Sequence, residues 1–301
     1  MALDKDKLRG ILPAIVTPVN SEGEVNKEAT RRLVNYLIKA GVGGLVPLGG
    51  TGEYTALSSQ DRVTFVETVV EETAGRVPVI PGILSPGFKE AVTTGKDFMR
   101  AGADAVMLVT PYYIRPSQEG IREYYGEFIS RVSLPVVLYD IPYRTGVYLE
   151  PATINQIVNE NEMVIGLKAC NTDLSHFTRM MALVNDKISV LSGEEYLFMP
   201  EVIMGAKGGI LATANVFPRP WIRMFEMISK GDIEGARRIH FGLLSLMDAA
   251  FAECNPGPIK EVMAMIDIDV GHALRPLAPP GQDNLRRLQA AVRRLLDHPL
   301  E

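Results

Sequence analysis

Eight short runs of apolar residues, separated by stretches with helical spacing, constrain the fold of this chain more than any other feature. Each run is nearly continuous in Val, Ile and Leu, which is typical of parallel strands that are covered on both faces. The pattern therefore predicts an α/β protein built on a parallel sheet. The predicted strands are residues 12–16, 45–48, 77–81, 105–109, 135–139, 163–168, 188–191 and 209–212.

The stretches between the predicted strands carry the signals of α-helices. Their apolar residues recur at helical spacing, as expected for helices that bury one face. Ser58 is a suitable N-cap for one helix, and Gly41, Gly75 and Gly102 stand where three helices should end. Eight such units in one chain fit a closed (β/α)8 TIM barrel better than an open doubly wound sheet.

The pattern changes after about residue 230. Residues 232–251, 258–265 and 283–296 are predicted helices, and turns rich in Pro and Gly join them. We therefore predict a catalytic barrel at residues 1–230. Residues 231–301 are predicted to form a C-terminal helical appendix that packs on the barrel.

Composition narrows the possible partners and the compartment. The chain has 31 Lys and Arg against 36 Asp and Glu, a net charge of −5. A nucleic acid or an anionic membrane would require a concentrated basic surface, so we expect neither as a partner. The only cysteines are Cys170 and Cys254, and the first nine residues contain no apolar stretch of the signal-peptide kind. We therefore expect a cytoplasmic protein without a disulfide framework.

Polar and reactive residues follow several of the predicted strands. A barrel keeps its active site at the carboxyl ends of its strands, where the βα loops meet. We therefore expect these segments to lie close together at one rim. They are Gly49-Gly50-Thr51-Gly52-Glu53, Thr110-Pro111-Tyr112-Tyr113, Tyr139-Asp140-Ile141-Pro142-Tyr143-Arg144-Thr145-Gly146, Gly166-Leu167-Lys168 and Ser192-Gly193-Glu194-Glu195.

Lys168 is the most informative of these residues, because it ends an apolar run with a group that prefers water. If its side chain points into the barrel mouth, burial favours the neutral amine, which is a nucleophile. Such an amine attacks a ketone to form an imine, or Schiff base, which draws electrons from the neighbouring carbon. The alternative is an ordinary surface lysine that points outward to solvent.

Three neighbours on the same predicted rim favour the imine chemistry. Tyr139 ends the adjacent strand and can donate and accept the proton that imine formation requires. Thr51 and the backbone N–H groups of its glycine-rich turn can bind a carboxylate, and Arg144 can bind a second one. Together these residues indicate a small 2-oxo acid as the substrate. Taken singly, each also has a structural explanation, as a core tyrosine, a tight turn or a loop ion pair.

Other chemistries lack the residues that they require. The histidines are scattered without metal-ligand spacing, so we expect no metal ion. The chain has no Walker motif and no Gly-x-Gly-x-x-Gly after a strand, so we expect no cofactor and only small-molecule substrates. The glycines at 205–209 precede a predicted strand, whereas phosphate-binding barrels carry such glycines after their last strands.

Taken together, these segments resemble the dihydrodipicolinate synthase / N-acetylneuraminate lyase family of pyruvate-dependent class I aldolases. The resemblance includes Leu191-Ser192-Gly193 and Thr213-Ala214-Asn215, and it extends from about residue 8 to the final helices. It implies a lyase that forms a Schiff base with pyruvate or a related 2-oxo acid.

The resemblance also implies roles for individual residues. Lys168 forms the Schiff base, Tyr139 moves protons, and Tyr113 of one protomer reaches across a dimer interface into the site of the other. Arg144 receives the carboxylate of aspartate semialdehyde in members of the synthase type. The remaining substrate-binding residues are Gly50, Thr51, Gly52, Gly193 and Ile210. Such members are commonly tetramers built from two tight dimers, so we expect a homotetramer or a homodimer.

Several positions depart from the synthase pattern. Gly50 stands where a threonine is usual, so one hydroxyl of the proton relay is absent. Asp140 replaces an asparagine and Tyr143 a small residue, at the end of the site that meets the second substrate. Feedback-controlled synthases of the family carry a site at which lysine binds and inhibits the enzyme. Only Glu90 and Tyr112 match the residues of that site, so we expect no strong inhibition by lysine. The other positions of that site hold Tyr54, Thr55, Ser59, Arg62 and Pro86.

The most specific activity that the resemblance implies is that of a 4-hydroxy-tetrahydrodipicolinate (dihydrodipicolinate) synthase, which condenses pyruvate with aspartate semialdehyde. An N-acetylneuraminate, 2-keto-3-deoxy-sugar-acid or hydroxyproline-pathway lyase or dehydratase is the alternative on the same scaffold. A non-catalytic barrel that binds a 2-oxo acid is an alternative of another class, favoured only by the missing hydroxyl at Gly50. A phosphate-binding barrel is a further alternative.

Overall fold

One parallel sheet, curled into a barrel, is the centre of the computed structural model, which describes residues 3–300. Its seven strands lie in the order β1-β7-β6-β5-β4-β3-β2, and all neighbours are parallel. The predicted α/β barrel is therefore confirmed. The strands are β1 (Gly10–Pro13), β2 (Gly82–Ile83), β3 (Val106–Val109), β4 (Val136–Asp140), β5 (Val164–Ala169), β6 (Ser189–Ser192) and β7 (Gly208–Leu211).

The strand predicted at residues 45–48 is reduced to isolated bridges. Val46 pairs with Ala14 after β1, and Leu45 pairs with Val79 before β2, so this segment occupies the eighth position of the barrel. Proline has no N–H to donate, and prolines at 47, 78 and 81 interrupt the ladder here. For the same reason the strand predicted at 77–81 is wrong in its bounds, since β2 begins only at residue 82.

Helices surround the sheet, and several begin and end where the sequence predicted. The Oγ atom of Ser58 accepts a hydrogen bond from Asp61 N at 3.1 Å and caps α2 (Ser59–Thr73), and Gly41 ends α1 (Lys27–Ala40) with φ of 94°. The end of α2 is Ala74 with φ of 49°, one residue before the predicted Gly75. The helices of the barrel are α1 (Lys27–Ala40), α2 (Ser59–Thr73), α3 (Phe88–Arg100), α4 (Gln118–Arg131), α5 (Pro142–Thr145), α6 (Pro151–Glu160), α7 (Leu174–Val184), α8 (Phe198–Ile203) and α9 (Pro218–Ser229).

The apolar core has two layers. A large cluster fills the space between the sheet and the surrounding helices. A smaller cluster fills the barrel interior, with Leu12, Met107, Val137 and Leu191 among its buried members. Tyr139 belongs to this interior cluster, so the floor of the barrel mouth is a packed core rather than a pore.

Three further helices follow the barrel: α10 (Ile233–Ala250), α11 (Gly257–Met265) and α12 (Gln282–Asp297). They pack on one another, and α10 also packs on α8 and α9. Leu243 and Leu288 are among their buried residues. The division of the chain at residue 230 stays a prediction, and residues 1, 2 and 301 lie outside the described part. Within that part, no helix is both long and apolar enough to cross a membrane.

Candidate active site

A cavity of about 310 Å³ lies at the carboxyl ends of the strands. Its wall includes residues from β4, β5 and β7 and from the loops after β1 and β6. The segment between α10 and α11 closes one side of it. Seven of the residues predicted from the sequence line this cavity: Gly50, Thr51, Tyr139, Arg144, Lys168, Gly193 and Ile210.

Lys168 and Tyr139 are register partners on adjacent strands. Lys168 lies opposite Tyr139 in the β4–β5 ladder, and its Nζ atom is 4.7 Å from the centroid of the tyrosine ring. Only 7% of Lys168 and 3% of Tyr139 is exposed, so the alternative of an outward-pointing surface lysine is wrong. Burial raises the pKa of Tyr139 well above its usual value, so its phenol keeps its proton at neutral pH.

Gly193 provides the space that the Lys168 side chain occupies. A Cβ atom at Gly193 would lie 2.2 Å from Cys170 Sγ and 2.9 Å from Lys168 Cε. The backbone is held at this point, because Gly193 N donates to Ala169 O at 2.7 Å. Any side chain at this position would therefore displace the lysine or the thiol.

Thr51 is positioned by a residue more than 200 positions away in the sequence. Asn255 Nδ2 donates to Thr51 Oγ1 at 2.9 Å, so the threonine hydroxyl serves as an acceptor there and keeps its own hydrogen for another partner. Asn255 lines the cavity too. The sequence around Asn255 predicted only one of the Pro- and Gly-rich turns between the C-terminal helices, and no local signal pointed to the site.

A buried ion pair ties the glycine-rich turn to the C-terminal helices. Lys260 Nζ, on α11, lies 2.6 Å from Glu53 Oε2, and both side chains are 2% exposed. Lys260 also donates to His272 O at 2.8 Å, and Leu274 N donates to Glu53 Oε1 at 2.5 Å. Burial lowers the pKa of Lys260, and the Glu53 carboxylate opposes this shift. The sequence analysis did not single out either residue for this role.

Gly52 does not line the cavity. A Cβ atom there would lie 2.6 Å from Leu48 N and 3.1 Å from Ile15 O, and Gly52 O accepts from Thr17 Oγ1 at 2.7 Å. Glycine is required at this position because other backbone segments approach it too closely for a side chain to fit. Gly50, in contrast, faces the site: a Cβ atom there would be 3.6 Å from Arg144 Nη1, an ordinary contact.

Tyr113 is not brought to the cavity of its own chain. It has φ of 71° and is 90% exposed, and its neighbour Tyr112 instead donates to Leu84 O at 2.8 Å. Its predicted catalytic role therefore requires a second protomer.

Three carboxyl groups line the cavity that the sequence analysis did not assign. Glu195 Oε1 accepts from Ala212 N at 2.7 Å and from Thr213 N at 3.1 Å. Glu253 accepts from Gly281 N at 3.0 Å. Glu194 Oε1 is buried and has no hydrogen-bond partner in the described structure. Burial raises the pKa of Glu194 to about 7, with a contribution from Glu195.

Among residues 3–300, no group of three or more His, Cys, Asp and Glu side chains is arranged to hold a metal ion. The polar side chains that line the cavity provide one amine, one guanidinium, three phenols, one aliphatic hydroxyl, one amide, two thiols and three carboxyls. Such a set can bind an anion, form a covalent adduct with a carbonyl carbon and move protons.

Comparisons with known proteins agree on one family. The sequence model of the Dihydrodipicolinate synthetase family matches residues 7–295. The 4-hydroxy-tetrahydrodipicolinate synthase of Methanococcus vannielii is 38% identical over 288 residues, covering 96% of this chain and 99% of that protein. The enzyme of the same name from Pelobacter propionicus is 36% identical over 285 residues, covering 95% of this chain and 98% of that one. A crystal structure of a dihydrodipicolinate synthase superimposes with a TM-score of 0.92 at 36% identity, covering 98% of this chain and all of that chain.

Proposed function

The chain belongs to the dihydrodipicolinate synthetase family of class I aldolase-type lyases, and we propose that it is a 4-hydroxy-tetrahydrodipicolinate synthase. In this role it condenses pyruvate with aspartate semialdehyde through a Schiff base on Lys168. The observation that carries the proposal is the buried Lys168 amine beside the Tyr139 phenol, in a cavity at the carboxyl end of the barrel.

The chemistry begins with attack of the Lys168 amine on the C2 carbonyl of pyruvate. The C–N bond forms as the carbonyl oxygen takes up a proton, which gives a carbinolamine. Loss of water then gives the imine, and loss of a proton from C3 gives an enamine that attacks the aldehyde carbon. Tyr139, protonated at neutral pH and next to the amine, supports these proton movements.

Two groups that line the cavity suit two carboxylates. The Thr51 hydroxyl, held by Asn255, suits the carboxylate of pyruvate near Lys168. Arg144, beside Gly50 at the mouth, suits the carboxylate of the second substrate, because a guanidinium binds a carboxylate in a bidentate manner. Ile210 and Gly193 then shape the wall around the C3 carbon.

We further propose that the active enzyme is a homodimer or homotetramer in which Tyr113 of one protomer completes the site of another. The joint exposure of Tyr113 and the adjacent Ile114 supports this, because neighbouring exposed apolar side chains are available for burial against a partner. Location in the cytoplasm likewise remains a prediction.

Reduction with borohydride tests the Schiff base. Wild-type protein treated with pyruvate and borohydride should gain a stable adduct on Lys168, located by peptide mass spectrometry. Lys168→Met should gain none, and Lys207→Met is the matched control, because Lys207 is an exposed lysine at the opposite end of the barrel. Absence of an adduct in the wild type would refute the proposed chemistry.

A coupled assay tests the second substrate. Pyruvate with aspartate semialdehyde should give product, whereas cleavage of sialic acid and of deoxy-keto sugar acids should be slow by comparison. The reverse preference would assign the chain to a sugar-acid lyase on the same scaffold.

A further inference from the structure

The glycine-rich turn that carries Thr51 is held from outside by the C-terminal helical region. The turn is bounded by Leu48 and Glu53, which both have left-handed backbone conformations, with φ of 61° and 54°. Residues with side chains rarely adopt this conformation, so contacts with the surroundings must retain it. Two of these contacts come from beyond the barrel, namely Lys260 Nζ to Glu53 Oε2 at 2.6 Å and Leu274 N to Glu53 Oε1 at 2.5 Å. The conformation of the turn therefore depends on the C-terminal helical region.

Asn255 belongs to a short segment, between α10 and α11, that the C-terminal helices hold in place. Gly257 N donates to Cys254 O at 3.1 Å directly beside it, and Lys260 on α11 is fixed by its buried pair with Glu53. The asparagine side chain is short, so the position of its amide follows from the position of this backbone. The C-terminal helices, rather than the barrel strands, therefore determine where the Asn255 amide lies.

The amide of Asn255 sets the direction in which the Thr51 hydroxyl donates. A hydroxyl has a single hydrogen, which rotates to suit its neighbours. Asn255 Nδ2 lies 2.9 Å from Thr51 Oγ1, and an amide NH2 group can only donate, so the threonine oxygen accepts there. The hydroxyl hydrogen therefore turns away from Asn255, and both residues line the cavity. A carboxylate requires donors, so this arrangement presents the hydroxyl to the cavity in the orientation that a carboxylate can use.

We propose that Asn255 is a positioning residue for pyruvate, through which the C-terminal helical region sets the affinity of the barrel for this substrate. Asn255 directs the Thr51 hydroxyl toward the pyruvate carboxylate, while the pair of Glu53 and Lys260 holds the turn that carries Thr51. The inference rests on the proposed function, because it takes pyruvate as the anion that Thr51 binds. It makes the C-terminal helices part of the substrate site as well as part of the fold.

The experiment measures how the rate of borohydride-trapped adduct formation on Lys168 depends on the pyruvate concentration. The half-saturating concentration reports binding, and the maximal rate reports chemistry. Asn255→Ala should raise the half-saturating concentration by roughly 2- to 10-fold, the effect of one lost hydrogen bond, and should change the maximal rate less. Thr51→Val lacks the hydroxyl that binds the carboxylate, so it should raise the half-saturating concentration by roughly 10- to 100-fold.

Asn255→Asp separates the orientation of the hydroxyl from a purely structural role. Aspartate has nearly the shape of asparagine, so a structural role predicts a milder effect than that of Asn255→Ala. A carboxylate only accepts hydrogen bonds, so the Thr51 hydroxyl would turn its hydrogen toward position 255 and its lone pairs toward pyruvate. The proposal therefore predicts a larger rise in the half-saturating concentration for Asn255→Asp than for Asn255→Ala, of at least about 10-fold.

A double-mutant cycle with Thr51→Val isolates the contribution of the hydroxyl. If Asn255 acts through Thr51, Asn255→Ala has no further effect on the half-saturating concentration once the hydroxyl is absent. The part of the Asn255→Asp effect that persists in Thr51→Val is charge repulsion between the two carboxylates, and it should be smaller than the effect in the wild-type background.

Asn284→Ala is the matched control. Asn284 is a buried asparagine of α12 whose Nδ2 atom donates to Ala249 O at 3.1 Å, and it does not line the cavity. Its replacement should lower the stability against urea and leave the half-saturating concentration of pyruvate as in the wild type. Urea unfolding of every variant separates a loss of fold from a loss of binding.

Each outcome bears on one proposal or on both. An unchanged pyruvate dependence in folded Asn255→Ala or Asn255→Asp overturns the role of Asn255 and leaves the Schiff-base function intact. An effect of Asn255→Ala that persists in full in Thr51→Val, or a smaller rise for Asn255→Asp than for Asn255→Ala, overturns that role as well. No adduct in the wild type at any pyruvate concentration overturns the Schiff-base function and, with it, this inference.

Discussion

Replacement of Gly193 by alanine tests how the barrel positions its reactive lysine. The added Cβ atom would lie 2.2 Å from Cys170 Sγ, 2.9 Å from Ala169 O and 2.9 Å from Lys168 Cε. Non-bonded carbon atoms prefer separations of about 3.5 to 4.0 Å, so the new methyl group overlaps three neighbours at once. Ala169 O is fixed in the sheet, and Cys170 is 1% exposed, so the flexible lysine chain takes up much of the strain.

Two magnitudes follow from this geometry. Overpacking of a well-packed core costs about 1–3 kcal/mol, and we expect Gly193→Ala to lose that much stability against urea. A displacement of a reacting group by about 1 Å can reduce catalysis about 10²-fold, and we expect at least this loss in the rate of the borohydride-trapped adduct. Activity should therefore fall far more than the folded fraction at 25 °C.

Gly126→Ala is the matched control. Gly126 lies within α4, and a Cβ atom there would have no heavy atom within 4 Å. The replacement should stabilise the helix by roughly 0.5–1 kcal/mol and leave adduct formation unchanged. If Gly193→Ala forms the adduct at the wild-type rate with wild-type stability, Gly193 does not provide the space for Lys168, and the reasoning is refuted.

Three further predictions follow from ionisable side chains. Lys260→Met leaves the Glu53 carboxylate buried without its partner and should cost about 3–5 kcal/mol in urea unfolding; a loss below about 1 kcal/mol would contradict the buried pair. Burial raises the pKa of Asp140 from 3.8 to about 7, so between these values the folded state holds a proton that the unfolded state releases. Stability should therefore fall as the pH rises from about 4 to about 7, and Asp140→Asn should fall less; equal slopes in urea titrations would contradict this. The free amino acid lysine should bind weakly as an inhibitor, because Arg62 Nη1 already holds the Glu90 carboxylate of that site at 3.0 Å. Tight binding of lysine in calorimetry would refute this prediction.

Much of the fold was predictable, because it depends on signals that are local in sequence. Continuous Val, Ile and Leu runs predicted the parallel strands, and Ser58 and Gly41 predicted helix ends that the structure confirms. The prediction was wrong at residues 45–48 and 77–81. The apolar character of those segments was read correctly, but three prolines leave only isolated bridges in place of a ladder.

The location of a site residue was predictable from the sequence where that residue ends a strand. Lys168 and Tyr139 close adjacent strands, so a parallel register was sufficient to bring them together. Glu53, Lys260 and Asn255 were not predictable in their roles, because they meet through a C-terminal segment whose path is set by packing. Glu194 and Glu195 were both visible as polar residues after β6, and only the structure shows that Glu195 accepts hydrogen bonds from Ala212 N and Thr213 N.

The sequence by itself therefore determined the barrel, the rim on which the reactive groups stand and the amine at its centre, since these follow from periodicity and from strand ends. Only the tertiary structure decided which glycine makes room for Lys168, which residue pairs with Glu53 and which distant residue holds Thr51. The physical reason is that desolvation and steric fit depend on neighbours in space, and those neighbours come from parts of the chain up to about 200 residues apart.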